Sequence, residues 1–485
     1  MMIYKKKTVN RWLYHLFVIA LAAVVLTFSV RASSEKIVED TEFTDGELLQ
    51  LHNLYETGSV YDRHGNLLVK GSSHKSTEEE KLIWSSDEIK ENFEDLLGMD
   101  ISKTMNSGFT LAGHAPVLFG SEDDDRFTMD SLMNPFKKRV GGSVETTLDE
   151  DIQQYIRELT TKYGINKDDL YLLVSNYKTG EVRAVFNDVC SASAMLSPGS
   201  TMKSILTAAA LSIDPELVDY TYDCSNSNRI FNVNGKAFKI RCADDVNHGT
   251  ITMKEALARS CNGFFINLLL NKLDKNEFMN ELKKWGVNGT SLHVNQFTFW
   301  DGTFANIDKE NPDTVDEAYL LGAIGQANCR ITPFQLNFLY NGIMNSGKAV
   351  EPYWISRTKS TPESDWKETE HPLEIQVCNS EAADKVADML EAVTREGTGT
   401  GFYMENHIFA AKTGTAELAD STGLNGLYTV WTSGALRGSN DEPLSITVAI
   451  DKVDSSITSE TAGLFARDVL NYIVDKDKME ALQNE

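Results

Sequence analysis

The sequence has few cysteines, a shortage of basic residues and only one long apolar run. Six cysteines among 485 residues cannot staple a chain of this size, so hydrophobic burial must stabilise its two or three domains. Only 46 Lys and Arg stand against 71 Asp and Glu, a formal charge of −25. This charge argues against nucleic acid as a partner, because phosphates would be repelled over much of the surface.

The one long apolar run extends from Trp12 to Val30 and contains no Asp, Glu, Lys or Arg. It approaches the ~20 residues that a helix needs to span a bilayer. Lys5, Lys6, Lys7 and Arg11 precede it, so residues 1–11 are predicted to be a cytoplasmic tail and the chain after the helix to be extracytoplasmic. A cleaved signal peptide is the alternative; the length of the run favours a retained single-pass anchor at 12–30.

A second feature is a serine that opens an apolar, Ala-rich stretch after Pro198-Gly199. The pattern predicts a helix beginning at Ser200, with Lys203 one turn further along the same face. A desolvated amine in that place has a lowered pKa and can take the serine proton. Taken alone, the pattern equally fits an ordinary N-cap serine followed by a surface lysine.

Two later segments change this interpretation. Ser260-Cys261-Asn262 carries a Ser-x-Asn triplet, and Lys412-Thr413-Gly414-Thr415 follows in the last third of the chain. S-x-x-K, an S-D-N-type triplet and K-T-G together are a known signature of penicillin-binding proteins and related β-lactamases. With these three motifs in this order, the chain resembles a class B penicillin-binding protein, a membrane-anchored D,D-transpeptidase of bacterial cell-wall synthesis.

The resemblance implies roles for the first two motifs. Ser200 would attack the carbonyl between the two D-alanines of a peptidoglycan stem peptide, with Lys203 as its base. Ser260 would relay the proton to the leaving amine. Asn262 would hydrogen-bond the donor's backbone and help to position Lys203.

The third motif would bind the substrate. Lys412 is expected to supply positive potential, while the hydroxyls of Thr413 and Thr415 bind the terminal carboxylate and Gly414 allows a close approach. The backbone N–H groups of Ser200 and Thr415 would form the oxyanion hole. The resemblance requires no metal and no organic cofactor.

The resemblance also implies partners. The substrates would be stem peptides of peptidoglycan or its lipid-linked precursor, and β-lactams would be covalent inhibitors. About 110 residues between the anchor and the catalytic domain are too few for a glycosyltransferase domain, so a separate membrane glycosyltransferase is expected. The alternatives are a D,D-carboxypeptidase or serine β-lactamase on the same fold, a non-catalytic cell-wall scaffold, and a β-lactam sensor.

The predicted fold is α/β of the α+β kind, a β-lactamase/transpeptidase-like antiparallel sheet flanked by helices. It comprises a small membrane-proximal pedestal at 31–141, a transpeptidase domain at 142–476 and a C-terminal tail at 477–485. Within the pedestal, residues 58–68 read as a hairpin turning at Gly65. A closing helix is predicted from Ser459 to Val474, and 396–401 is predicted to be a flexible loop.

The cysteines leave two readings open. Cys224 and Cys242 flank the turn at Asn234-Gly235, so they could form a disulfide that closes a short loop, or remain separate buried thiols. His248 would add a third metal ligand, but without a fourth the sequence favours a metal-free arrangement.

Overall fold

The computed structural model of the chain describes residues 55–73, 81–94, 96–97, 111, 115–118, 139–190, 194–225, 229–288, 293–294, 297–298, 302–305, 315–369, 373–420, 423–438 and 441–483. The predicted membrane helix at 12–30 lies outside these ranges. Within them, no helix combines the length and the apolar composition that crossing a membrane requires.

The described chain contains both helices and strands, in a mixed order. The helices are α1 (Asp87–Phe93), α2 (Ala115–Leu118), α3 (Glu150–Tyr163), α4 (Met202–Ile213), α5 (Met253–Ala258), α6 (Asn262–Asn271), α7 (Lys275–Lys284), α8 (Glu317–Gly322), α9 (Pro333–Met344), α10 (Ser380–Glu396) and α11 (Ser459–Gln483). The strands are β1 (Tyr55–Glu56), β2 (Val60–Tyr61), β3 (Leu67–Ser73), β4 (Lys81–Trp84), β5 (Arg139–Val140), β6 (Ser143–Thr146), β7 (Leu170–Asn176), β8 (Val182–Phe186), β9 (Thr221–Cys224), β10 (Ile230–Val233), β11 (Lys236–Lys239), β12 (Gly249–Thr252), β13 (His293–Val294), β14 (Phe297–Thr298), β15 (Lys348–Val350), β16 (Ile355–Lys359), β17 (Lys367–Glu368), β18 (Glu374–Gln376), β19 (Phe409–Asp420), β20 (Gly423–Leu436) and β21 (Leu444–Val453).

A five-stranded antiparallel sheet, ordered β19-β20-β21-β7-β8, forms the centre of the fold. Successive strand residues point to opposite faces. Val430 therefore packs with α3 and α11 on one face, while Trp431 packs in the larger core with α4, α9 and α10 on the other. This confirms the predicted mixed fold of an antiparallel sheet flanked by helices.

The helix termini follow local sequence signals. Asp149 caps α3 by accepting hydrogen bonds from the backbone N–H groups of Asp151 and Ile152, and Gly164 ends that helix with φ +64°. The closing helix α11 is longer than predicted, since it continues past Val474 to Gln483. Most of the predicted tail at 477–485 is therefore helical.

A second sheet contains the hairpin predicted at residues 58–68. β2 and β3 pair antiparallel, as predicted, and the Asp62 carboxylate accepts from the backbone N–H groups of His64 and Asn66 at the turn. The sheet is ordered β17-β16-β6-β2-β3-β4. It combines strands from both sides of residue 142, and the division of the chain at that point stays a prediction.

A cluster of polar and charged side chains joins this hairpin to α3 and α11. The Asp149 carboxylate lies 2.6 Å from Nζ of Lys476 on α11 and 2.9 Å from Nε2 of His64 in the hairpin turn. Burial by itself would raise the pKa of Asp149, but the hydrogen bonds from Lys476 and His64 outweigh it and hold the pKa below its usual range. The pairing with Lys476 gives a physical reason for the extension of α11.

Candidate active site

The predicted nucleophile lies in a tight turn that leads into α4. Gly199–Thr201 form a single 3₁₀ turn, and the α-helix begins at Met202, two residues later than the sequence predicted. Gly199 has φ +55°, and its N–H donates to the carbonyl of Gly325 at 3.0 Å. Ser200 is half-buried in this turn. It lies at the N-terminal end of α4, where the helix dipole gives a positive potential.

Lys203 is one turn further along and is fully buried. Its Nζ donates to the carbonyl oxygen of Ser260 at 2.8 Å, to the Ser260 Oγ at 3.0 Å and to Oδ1 of Asn262 at 2.6 Å. It also lies 5.6 Å from the centre of the Phe265 ring. The first two predicted motifs are thus connected through one ammonium group.

The Ser-x-Asn triplet forms the corner between α5 and α6. Ser260 has φ +55°, an uncommon conformation for a residue with a Cβ. Cys261 caps α6, its sulfur accepting from the N–H of Phe264 at 3.4 Å. The Asn262 amide donates from Nδ2 to the carbonyl of Arg241 at 2.6 Å, so both ends of this side chain are fixed.

The third motif lies on β19, and its glycine permits close contact with the serine turn. A Cβ on Gly414 would lie 2.7 Å from the carbonyl oxygen of Pro198, and one on Gly199 would lie 2.6 Å from that of Thr415. Both positions therefore require glycine. The Thr415 side chain is exposed beside the turn, whereas the Lys412 side chain is fully buried.

The two motif lysines have perturbed acidity. Burial lowers the pKa of Lys203 to about 8. Burial, together with the positive charge of Lys203, holds the pKa of Lys412 well below its ordinary value. Nζ of Lys412 donates to the carbonyl of Thr413 at 3.0 Å. A neutral amine at Lys203 is therefore available near neutral pH.

The structure brings the predicted site residues together in two sets. Lys203, Ser260 and Asn262 are connected by hydrogen bonds, and the turn of Ser200 is packed against Gly414 and Thr415. Among the described residues, the Ser200 hydroxyl forms no hydrogen bond. Hydrogen bonds of catalytic groups commonly tighten only when substrate binds.

Sequence reasoning missed several supporting contacts. The segment predicted to be a flexible loop begins at the end of α10 and is held against the site: the Thr398 N–H donates to the Ala258 carbonyl at 3.0 Å. Thr398 Oγ1 lies 2.7 Å from Thr413 Oγ1. Tyr340 on α9 donates from its hydroxyl to the Thr201 carbonyl at 3.0 Å and stabilises the serine turn. No local sequence signal marks such contacts, because they form between distant segments.

A group of metal-binding side chains lies next to the Ser-x-Asn corner. The ligand atoms of Cys224, Cys242, His248 and Cys261 all lie within 4.8 Å of one another. The sequence had identified the first, second and third of these residues. The six cysteines are free thiols, so Cys224 and Cys242 are separate here, with 3.7 Å between their sulfurs.

Comparison with known families gives a match to one profile. The family described as "Penicillin binding protein transpeptidase domain" matches residues 170–471. This span contains the three motifs and the whole of the five-stranded sheet.

Curated relatives match at low identity. The chain is 27% identical over 343 residues to stage V sporulation protein D of Bacillus subtilis, covering 65% of this chain and 51% of the relative. It is 25% identical over 328 residues to penicillin-binding protein PbpB of Mycobacterium tuberculosis, covering 59% of this chain and 44% of the relative. The chain thus spans about half the length of these relatives.

Solved structures match over most of the chain. Penicillin-binding protein 3 of Mycobacterium tuberculosis, in complex with aztreonam, has a TM-score of 0.67 at 20% identity, with 88% of this chain and 97% of that chain covered. Penicillin-binding protein A of the same organism, as a ceftriaxone acyl-enzyme, has a TM-score of 0.68 at 18% identity, with 87% and 99% covered. At these identities the likeness shows a shared fold.

Proposed function

The chain belongs to the penicillin-binding protein transpeptidase family, and on that premise we propose that it is a class B peptidoglycan D,D-transpeptidase with Ser200 as its nucleophile. The observation that carries the proposal is the environment of Lys203. A buried amine with a pKa of about 8 lies one helical turn from the serine and is oriented by Ser260 and Asn262. This arrangement supports general-base activation of a serine.

The first half of the reaction forms an acyl-enzyme. The Ser200 Oγ attacks the carbonyl carbon of the penultimate D-alanine, and its proton passes to Lys203. The C–N bond to the last D-alanine breaks, and the proton reaches the leaving amine through Ser260. The backbone N–H groups of Ser200 and Thr415 would stabilise the oxyanion, a contribution of roughly 3–4 kcal/mol for each donor in comparable enzymes.

The second half of the reaction transfers the acyl group. The amine of a second stem peptide attacks the ester carbonyl and forms the new C–N bond. The C–O bond to Ser200 breaks, the proton of the amine passes to the Ser200 oxygen, and a peptide cross-link results. The third motif would hold the donor: Lys412 supplies positive potential, while Thr413 and Thr415 bind its terminal carboxylate. Transfer to water instead of an amine would make the same site a D,D-carboxypeptidase.

The proposed membrane arrangement rests on the apolar run at 12–30 and the basic residues before it. A single helix at 12–30 would anchor the chain, and a pedestal at 31–141 would carry the catalytic domain at 142–476 outside the cytoplasm. A separate membrane glycosyltransferase would supply the glycan strands. Co-purification in mild detergent tests this partnership. If no glycosyltransferase accompanies the protein in several gentle preparations, the partnership is contradicted.

Intact mass of the full-length protein after exposure to a penicillin tests the nucleophile. We expect a stable adduct of one drug molecule on the wild type and none on Ser200→Ala. Ser212→Ala is the matched control, because this serine lies at the far end of the helix that follows Ser200 and its loss should leave the adduct unchanged. Fast loss of drug with no lasting adduct would instead identify a β-lactamase.

A stem-peptide assay then tests the transfer step. With a D-Ala-D-Ala donor peptide and an added amine acceptor, a transpeptidase forms the new amide, while a carboxypeptidase only releases D-alanine. A folded protein that neither binds penicillin nor releases D-alanine would overturn the proposal in favour of a non-catalytic scaffold.

A further inference from the structure

We propose that Cys224, Cys242, His248 and Cys261 bind a structural Zn²⁺ ion that fixes the Ser-x-Asn corner of the active site. Their ligand atoms lie within 4.8 Å of one another. Three sulfurs and one imidazole nitrogen are a donor set typical of closed, four-coordinate structural zinc sites. This inference does not depend on the proposed function.

The distances between sulfurs match a tetrahedral zinc centre. With Zn–S bonds of about 2.3 Å, two thiolates of a tetrahedron lie about 3.8 Å apart. The Cys224 and Cys242 sulfurs are 3.7 Å apart, and those of Cys242 and Cys261 are 3.8 Å apart. A disulfide requires about 2.05 Å.

The surroundings of the cluster fit metal thiolates. The three cysteines are buried. The Cys261 sulfur accepts a hydrogen bond from the backbone N–H of Phe264 at 3.4 Å. Such hydrogen bonds from the backbone stabilise thiolates and orient them toward a metal.

The histidine provides an independent observation. Nδ1 of His248 is buried and has no hydrogen-bond partner among the described residues. A buried polar nitrogen without a partner costs free energy. A bond from the imidazole to a metal would offset this cost. His248 directly precedes β12, where Gly249 pairs with Cys224, so the backbone holds the imidazole next to this thiol.

Zinc binding would connect two chain segments at the active site. Cys261 lies between Ser260 and Asn262, both of which accept from Lys203. Cys242 directly follows Arg241, whose carbonyl accepts from the Asn262 amide. On binding, Zn²⁺ forms three Zn–S bonds and one Zn–N bond while three thiol protons pass to solvent. The metal would thereby hold Asn262 in two ways: through Cys261, the residue before it, and through Cys242, the residue after its hydrogen-bond partner Arg241.

The metal content of the full-length protein tests the site directly. Protein purified in detergent from zinc-supplemented cells and washed with EDTA should contain about one zinc per chain by mass spectrometry. Replacement with Co²⁺ should give the thiolate-to-cobalt charge-transfer and strong ligand-field absorption of a tetrahedral site. A folded protein without bound transition metal, or one in which peptide mapping finds a Cys224–Cys242 disulfide, would overturn the proposal.

Variants with matched controls identify the ligands. Cys242→Ser should abolish retention of zinc. His248→Gln removes the less buried ligand and should lower zinc affinity by more than the roughly 10- to 100-fold that is usual for loss of an outer-shell partner. Cys329→Ser and Cys378→Ser are controls, because these thiols are also buried but lie outside the cluster. Equal zinc retention in the ligand variants and the controls would contradict the assignment.

The acylation rate tests the positioning role. Removal of zinc by a chelator should slow acylation by a fluorescent penicillin about tenfold, and added Zn²⁺ should restore it. If the protein holds zinc but acylates at the same rate without it, the ion does not position Asn262. Since zinc content is measured without any substrate, failure of this proposal is distinguishable from failure of the proposed function.

Discussion

Nζ of Lys203 lies 2.6 Å from Oδ1 of Asn262, the shortest of the three hydrogen bonds that this ammonium donates. The two residues come from α4 and the start of α6, so the contact connects the serine helix to the Ser-x-Asn corner. It fixes the amine beside the serine turn.

The acylation rate should depend on pH through Lys203. Burial lowers the pKa of this amine to about 8, and only the neutral form can accept the serine proton. The rate of penicillin acylation should therefore rise through pH 8 and fall about tenfold per unit below it. Stopped-flow acylation across pH 6–9, with circular dichroism to monitor folding, measures this. A flat profile would exclude Lys203 as the base.

Lys203→Arg should abolish this reactivity. A guanidinium stays protonated and cannot serve as a base, so the acylation rate should fall by about 10²–10⁴-fold. Lys254→Arg on the neighbouring helix α5 is the matched control, since its side chain is exposed and should not affect the rate. An active Lys203→Arg variant would require another base.

Asn262→Ala should slow acylation by more than Asn267→Ala does. Asn262 accepts from Lys203 and donates to the Arg241 carbonyl, whereas Asn267 lies on the same helix and accepts from the Tyr220 hydroxyl. Loss of a hydrogen bond to a charged group costs about 1.5–3 kcal/mol, so we expect a decrease of about 10- to 100-fold for Asn262→Ala. Equal rates in the two variants would show that Asn262 does not position the lysine.

Gly414→Ala should separate β19 from the serine turn. The new methyl group would lie 2.7 Å from the Pro198 carbonyl oxygen and 2.9 Å from Cγ2 of Thr201. We expect acylation to fall about 10- to 100-fold because small displacements of a reacting group are costly. The unfolding free energy should fall by about 1–3 kcal/mol.

Gly164→Ala controls for the loss of stability in that experiment. Gly164 has φ +64° in open space at the end of α3, so alanine there costs about 1 kcal/mol of strain without crowding the site. Its acylation rate should match that of the wild type. A similar decrease in both variants would indicate that the rate only follows stability.

Asp149→Asn should destabilise the fold in a pH-dependent manner. The pKa of Asp149 lies below its usual range because Lys476 and His64 hydrogen-bond the carboxylate and outweigh its burial. A folded-state pKa below the unfolded value of about 3.9 gives stabilisation above that pH, which is lost as pH falls through the folded-state pKa. Chemical unfolding at pH 7 should show a loss of up to about 3 kcal/mol, the lower end for a broken buried pair, because Lys476 loses its nearest carboxylate but keeps Asp151.

Asp151→Asn is the control for this cluster. Its carboxylate lies 2.8 Å from the same Lys476 ammonium but is 61% exposed, so the loss should be below about 1 kcal/mol. The difference in unfolding free energy between the Asp149→Asn and Asp151→Asn variants should narrow below pH 4. A difference that stays constant with pH would show that the charge of Asp149 is not responsible.

The sequence by itself determined the local elements and the chemistry of the candidate site. A spacing of three residues in a helix was enough to place Lys203 one turn from Ser200, and the order of the three motifs indicated the family. Helix caps such as Asp149 were predictable because a side chain that caps a helix interacts with neighbours two and three residues away.

Only the tertiary structure decided which distant segments meet. The buried environment that lowers the pKa of Lys203, the contact of Thr398 with Thr413 and the extension of α11 toward Asp149 depend on packing between elements far apart in the chain. The same holds for Cys261, which the sequence assigned to no metal site. Local patterns act over a few residues. Cys224 at the end of β9, Cys242 after the β10–β11 hairpin, His248 just before β12 and Cys261 at the start of α6 come together only when the whole domain has folded.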